Sequence, residues 1–400
     1  MKRRTHSVQS MRPNRPDRAN HLRVAGFAGL ALVATACGSS SGSASVAEPT
    51  DESTVAGTPV ETVAKATAPP APVGAVSTDG RWYTCAKSEV PATQTVTGRR
   101  LQVVTTVAPI TSIVANIAGD VADVVGIVPE GTNSHTFEPK PSVGEVLSGA
   151  DLVFINGLKL EEPTKGLAQS NLRDAASIIE LGTRAITEDQ YLYDFSFPRE
   201  GGKPNPHLWT NPPMAACYAS DAALLMAVAD PANAVTYATN ADLYIAKLEA
   251  LHNAFISASD TVKAENRKLL TYHDAYAYFA QTYGWEVLGA IQVSNFEEPT
   301  PKEVARLIDQ LKATGVPAIF GSEVFPSPVL EQIGKDAHVK YVDVLRDDDL
   351  PGAPGDAEHS FLGLMRFDYV TIIESLGGDA AALKALDVSD ITDDNATYPQ

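Results

Sequence analysis

The chain reads as an α/β protein of two lobes, each with a roughly four-stranded parallel sheet and flanking helices, joined by one long rigid α-helix. Three observations predict this. From residue 101 onward, short β-branched apolar runs alternate with helical segments, the signature of parallel strands linked by helical crossovers. The runs fall into two groups of four. Between the groups lies a stretch whose apolar residues recur every three or four positions.

In chain order, the first element is an address. Lys2, Arg3, Arg4, Arg12, Arg15, Arg18 and Arg23 precede an uncharged run over 24–36. Thirteen residues are too few for a bilayer core of about 30 Å, which takes roughly 20, so residues 1–36 are expected to be a signal peptide. No later segment reads as long and apolar enough to span a membrane. The run closes in Ala34-Thr35-Ala36-Cys37-Gly38, which resembles the lipobox of bacterial lipoproteins, where cleavage before the cysteine leaves it lipid-modified. Cys37 is the expected lipidation site, with ordinary cleavage after small residues as the alternative. Residues 38–79 are rich in Ser, Ala, Gly, Pro, Thr and Val without periodicity, a composition that cannot bury enough apolar surface to order itself. Residues 37–98 are therefore expected to be a lipidated cysteine, a flexible tether and a short extension. Outside the membrane disulfides persist. Cys85 and Cys217 form a candidate disulfide, the alternative being two unrelated buried thiols.

The first lobe, 99–229, takes strands over 101–105, 121–128, 151–156 and 177–181. Asp230-Pro231 then offers a capping carboxylate with proline at the first helical position. The linking helix is expected over 230–265, roughly 50 Å long at 1.5 Å per residue, with Tyr237, Ala241, Tyr244, Leu248, Leu251 and Phe255 on one face. The second lobe, 266–390, takes strands over 268–272, 286–291, 317–321 and 340–345. The halves echo one another: Glu138-Pro139-Lys140-Pro141 and Glu298-Pro299-Thr300-Pro301 each precede a helix and a strand, 160 residues apart.

Composition narrows the function. The 400 residues carry 31 basic and 49 acidic groups, a formal charge of −18, which becomes about −24 when residues 1–36 take seven basic groups and one acidic group with them. Nucleic acid is a poor partner for such a chain. Three cysteines exclude Cys-rich zinc and iron-sulfur sites, so any metal chemistry uses histidine and carboxylates.

Three of the eight histidines occupy special places. His135 follows the second strand, His207 lies in a proline-rich segment after the fourth, and His273 ends the fifth. Ligands of open parallel sheets bind beyond the C-terminal strand ends, so three imidazoles can meet in the cleft between lobes. Asp343 interrupts the apolar run of the last strand, and a buried lone carboxylate is costly unless paired or metal-bound. It is the expected fourth ligand, with Glu323 as its rival. His252, His338 and His359 are expected to be structural, His359 the least clearly, and Asp347, Asp348 and Asp349 to form a solvated loop.

These residues resemble those of the metal-specific solute-binding lipoproteins of bacterial ABC importers of zinc and manganese, whose lobes are joined by a long helix. The resemblance covers roughly 99–380. It rests on the His-x-Phe-Glu-Pro-x-Pro-Ser run at His135, Pro-His-x-Trp at His207, Tyr-His-Asp-Ala-Tyr-Ala-Tyr-Phe-Ala at His273, and the aspartate of the last strand. It implies metal ligation by His135, His207, His273 and Asp343. The sequence departs from the family at Asn133-Ser134, usually Asp-Pro, and at Asn205 and Asn211, usually aspartates. The His-rich collecting loop of many zinc-specific members is absent from 186–202.

Three imidazoles and a carboxylate suit Zn²⁺ in a four-coordinate site, and a manganese-type member typically carries a carboxylate where His273 stands. The resemblance implies a non-enzymatic, monomeric receptor, lipid-anchored outside the cell membrane, handing zinc as cargo to an ABC permease and its ATPase. Manganese or iron as cargo is the alternative within this class. Outside it stand a metal-dependent hydrolase, for which no His-Glu-x-x-His helix is present, and a surface adhesin, which no particular residue supports.

Overall fold

A computed structural model of the chain describes residues 81–87, 89–292, 299–322 and 327–398. The signal peptide, Cys37, the 38–79 tether and Glu323 lie outside the described residues.

Two sheets of the same topology organise the described chain. The first is built from β1 (Leu101–Thr105), α1 (Ala108–Ala118), β2 (Ala122–Gly126), α2 (Val143–Gly149), β3 (Leu152–Ile155), α3 (Glu162–Asn171), β4 (Ser177–Glu180) and α4 (Leu181–Ala185). Two helices follow, α5 (Pro212–Ala229) and α6 (Ala234–Ser259). The second sheet uses β5 (Lys268–Thr271), α7 (Ala277–Tyr283), β6 (Glu286–Ala290), α8 (Pro301–Thr314), β7 (Ala318–Ser322), α9 (Pro328–Ala337) and β8 (Lys340–Leu345), before α10 (Phe361–Ser375) and α11 (Ala381–Lys384). Strand orders are β2-β1-β3-β4 and β6-β5-β7-β8, all pairs parallel. The echo between the halves is thus matched by the same crossover pattern in each.

Why the strands read as nearly continuous apolar runs follows from what covers them. In β1 and β3, Val103, Leu152 and Phe154 face the central core while Val104, Val153 and Ile155 face an outer core. In β5 and β7, Leu269, Ala318 and Phe320 join that same central core, and Leu270 and Ile319 join the outer core under α8 and α9. Successive side chains of a strand point to opposite faces, so a strand covered on both sides needs apolar residues at every position. The central core runs unbroken from one sheet to the other through α5, α6 and α10.

The joining helix is shorter than its sequence suggests. Asp230-Pro231 opens a 3-10 turn over Pro231–Asn233, and the Asp230 carboxylate accepts from Asn233 Nδ2 at 2.7 Å and Tyr237 Oη at 2.8 Å instead of capping backbone N–H groups. α6 then spans 26 residues, about 39 Å. Its expected face is its buried face: Tyr237, Ala241, Tyr244, Leu248, Leu251 and Phe255 are all buried. α5 packs along it. By length and composition α5 could cross a membrane, but 72% of it is buried in the core.

Both ends of the described chain return to the first lobe. Cys85 is joined to Cys217 of α5 by a disulfide, Cα atoms 5.5 Å apart. Backbone hydrogen bonds from Ala86 to Ala185, Lys87 to Arg184 and Val96 to Ala229 fasten the same strap, while Trp82 stacks on His252 of α6. At the other end, Thr397 pairs with Val125 beside β2, and Asn116 of α1 binds both Asp390 and the Ile391 N–H.

Candidate metal centre

The loops after β2 and β5 and the segment that leads into α5 bring three histidines to one point. Asn133 Oδ1 accepts the His135 N–H at 2.9 Å, and Asn205 Oδ1 accepts the His207 N–H at 3.1 Å. These matched turns, in which an asparagine side chain mimics a backbone acceptor two residues ahead, present both rings to the cleft. Asparagine keeps the turn that an aspartate would make at 133 and 205 while removing its charge. His273 lies two residues past the end of β5, where Thr271 Oγ1 donates to its carbonyl at 2.6 Å.

The Nε2 atoms of His135, His207 and His273 lie 2.9, 3.1 and 3.2 Å from one another. His207 is fully buried and His273 nearly so, while His135 is part-exposed. The other ring nitrogens are occupied: His207 Nδ1 meets Asn205 Oδ1 at 2.9 Å and His273 Nδ1 meets Gln292 Oε1 at 2.6 Å. An amide oxygen only accepts, so Nδ1 carries a proton in both rings and Nε2 is the nitrogen left to face the cluster. Lone pairs converging at 3 Å repel unless a cation lies between them. Ligand nitrogens of tetrahedral zinc, with bonds of roughly 2.0–2.1 Å, lie about 3.3 Å apart, so this trio needs little adjustment.

Electrostatics agree with neutral rings at two positions. Burial first, and then the fields of His273 and its neighbours, push the His135 and His207 imidazoles well below their ordinary pKa. His273 is raised instead: burial opposes its charge, but Asp347 and Asp348 outweigh it. Burial raises Asp347, countered in part by His273, and burial together with Asp347 lifts Asp348 to about 7.

Asp343, the expected fourth ligand, does not lie with the histidines. Asp343 is exposed: on the edge strand β8 the register with β7 slips between the Phe320–Val342 and Ser322–Leu345 pairings, so Val342 and Leu345 turn inward while Asp343 and Val344 between them face out. An acidic residue in an edge strand can face water without a partner. The carboxylate near the histidines is Asp347, two residues beyond the strand end, with Oδ2 3.4 Å from His273 Nε2. Its loop is not solvated: Asp347 and Asp349 are each 7% exposed. Trp209 Nε1 donates to the Asp347 carbonyl at 2.8 Å, Ser134 Oγ to Asp348 Oδ2 at 2.5 Å, and the Gly131 N–H to Asp349 Oδ1 at 2.7 Å, all from the first lobe. Asp347 and Asp348 also place oxygens within 4.8 Å of a His207 nitrogen. The signal that finds Asp347 in sequence is its place just past a strand end, the place His273 also occupies. His359 stays apart from this cluster, paired with Glu130 at 3.2 Å, and His252 is hydrogen-bonded to Tyr283 at 2.9 Å.

Behind the first lobe's share of the site sits a buried carboxylate that sequence reading overlooked. Glu161 accepts from Thr106 Oγ1 at 2.7 Å and from the Asn156 and Gly157 N–H groups at 2.7 and 3.1 Å. Asn156 in turn donates to the Pro206 carbonyl beside His207 at 2.9 Å. Burial lifts Glu161 to about 7 from its ordinary 4.5. Between those values the folded protein holds a proton that the unfolded chain has released, so stability present below pH 4.5 falls as pH rises to 7, by up to about 3 kcal/mol. Glu161→Gln removes this dependence. Its stability deficit against wild type should be larger at pH 5 than at pH 8 in urea unfolding, and equal deficits would refute the assignment.

A two-lobed α/β chain holding three imidazoles and a carboxylate in its interlobe cleft defines a metal-binding receptor. Residues 103–375 match the family model described as zinc-uptake complex component A, periplasmic. The chain belongs to this family, whose members are substrate-binding components of transport rather than enzymes. It is 30% identical over 287 residues, 71% of this chain and 91% of the relative, to the iron ABC transporter substrate-binding lipoprotein MtsA of Streptococcus pyogenes. It is 29% identical over 294 residues, 73% of this chain and 93% of the relative, to the manganese ABC transporter substrate-binding lipoprotein PsaA of Streptococcus anginosus. Among solved structures, the periplasmic zinc binding protein TroA from Treponema pallidum superposes with a TM-score of 0.63 at 26% identity, covering 70% of this chain and 99% of that one. The Cd-bound periplasmic metal binding protein from Candidatus Liberibacter asiaticus gives 0.60 at 25% identity, with 70% and 100% coverage.

Proposed function

We propose that the chain captures one zinc ion between its lobes through His135, His207, His273 and Asp347 and hands it to the permease of an ABC importer, working as a monomer held outside the cell membrane by lipid on Cys37. The observation that carries zinc is the convergence of three Nε2 atoms at 2.9–3.2 Å with one carboxylate beside them. Nitrogen-rich, four-coordinate surroundings favour zinc over manganese, which prefers oxygen. A second reading has a specific support: the Asp348 carboxylate, also near His207, offers the extra oxygen that manganese or iron would use. The named relatives divide between these metals, so the donor set has to decide.

Titration of metal-stripped protein with zinc and with manganese tests both readings. One zinc per chain is expected, with manganese at least tenfold weaker. Asp347→Ala should weaken zinc more than tenfold and Asp343→Ala less than twofold; the reverse ranking would return the fourth position to the strand residue. Tighter manganese than zinc binding would favour the second reading.

A further inference from the structure

Beside His135, the most exposed of the three histidines, opens a pocket of about 250 Å³, walled on one side by residues 158–160 and on the other by residues from 196–206. That is below the roughly 300–1,000 Å³ of sites for drug-sized ligands, so the occupant is small. Phe197 and Pro206 give the pocket apolar walls. Its charged lining groups are Lys159 and Lys203, with no carboxylate among the lining residues. In a chain of net charge −18, two ammonium groups here are opposite in sign to what a bare divalent cation would be drawn by.

Lys159 is held there by a strained backbone. Gly157, Leu158 and Lys159 have φ values of 80°, 51° and 63°, and two consecutive non-glycine residues in the left-handed region are a strained arrangement that the surrounding contacts must hold. Glu161 pins the turn through the Asn156 and Gly157 N–H groups. From this turn Lys159 Nζ reaches across to the Gly202 carbonyl at 2.7 Å, so its remaining N–H bonds stay available to a ligand. The field of Lys203 reaches His135, where it disfavours the imidazolium.

We propose that this pocket is a subsite for the metal's carrier anion: cargo arrives as a complex with a small di- or tricarboxylate, whose carboxylates rest against Lys159 and Lys203 while the metal exchanges a carboxylate oxygen for Nε2 of His135. One metal–oxygen bond breaks, its electron pair leaving with the carboxylate, and one metal–nitrogen bond forms. No oxidation state changes. This rests on the capture of metal by the histidine cluster.

The test compares association rates by stopped flow at low ionic strength for zinc supplied as its citrate complex and as the aqua ion. Wild type is set against Lys159→Gln/Lys203→Gln and against Lys312→Gln/Lys335→Gln, which has the same net charge but alters α8 and α9. The first variant should lose about tenfold in rate from zinc citrate and gain severalfold with the aqua ion, because an attraction and a repulsion are removed together. The control should keep the wild-type ratio of the two rates, and added salt should bring wild type toward the variant. An unchanged ratio in the Lys159/Lys203 variant would overturn the carrier subsite while leaving metal capture standing. Failure of wild type to take zinc from either source would instead overturn metal capture, and the subsite with it.

Discussion

Replacing His207 by alanine is expected to weaken zinc binding by well over 100-fold, more than the roughly 10–100-fold that losing a supporting hydrogen bond around a metal costs. His207 is fully buried, packed edge-on to Trp209 with ring centroids 5.1 Å apart and against Phe197 at 5.7 Å. Truncation leaves a dry gap instead of a water-filled vertex, so no solvent oxygen replaces the missing nitrogen well. Asn205 Oδ1, which now accepts from both the ring and the backbone of His207, also loses a partner. Competition against a chromophoric chelator measures the effect, and thermal unfolding of the metal-free variant separates lost ligation from lost packing. Affinity within threefold of wild type would remove His207 from the site.

The second large effect concerns the strap. Cys85→Ser is expected to destabilise the protein by about 2–4 kcal/mol, within the 4–5 kcal/mol that chain entropy allows for a bridge closing a 132-residue separation. The loss falls short of that limit because the reduced strap can peel away, giving up only its own contacts, chiefly buried Tyr83 and Val96 and three backbone hydrogen bonds. Cys85 is the position to change: it is partly exposed, whereas serine at the fully buried Cys217 would add an unpaired hydroxyl. Reductant should shift the unfolding midpoint of wild type and leave the variant unmoved. Coincident midpoints for all samples would show that the bridge contributes nothing.

Much of this architecture was legible in the residues because the chemistry involved is local. β1 and β8 keep the bounds that their apolar runs suggest, and the buried face of α6 is the one its periodicity marks. His135 and His273 stand out because each comes soon after a strand end, whereas His207, separated from β4 by α4 and two 3-10 turns, stands out by its Pro-His-x-Trp run. What escaped depends on neighbours that sequence does not name. Whether Asp343 faces water or metal turns on β8 being an edge strand whose register slips beside it, a fact of strand pairing. The three consecutive aspartates look solvated until Ser134, Gly131 and Trp209 of the other lobe meet them. The left-handed turn at Leu158 and Lys159 carries no glycine at those two positions to announce it and persists because Glu161, two residues on, folds back under it.

The strap at one end of the described chain and the paired tail at the other give the molecule an asymmetric load path. A pull applied upstream of Cys85 or downstream of Thr397 enters the first lobe, through α5 or β2, before it can reach the second. The second lobe is thus held like a loop between two fastened stretches. Drawing on the first stretch therefore loads α5 through a covalent bond, whereas drawing on the second has only the tail's hydrogen bonds to β2 and α1 to strip before the second lobe takes the load.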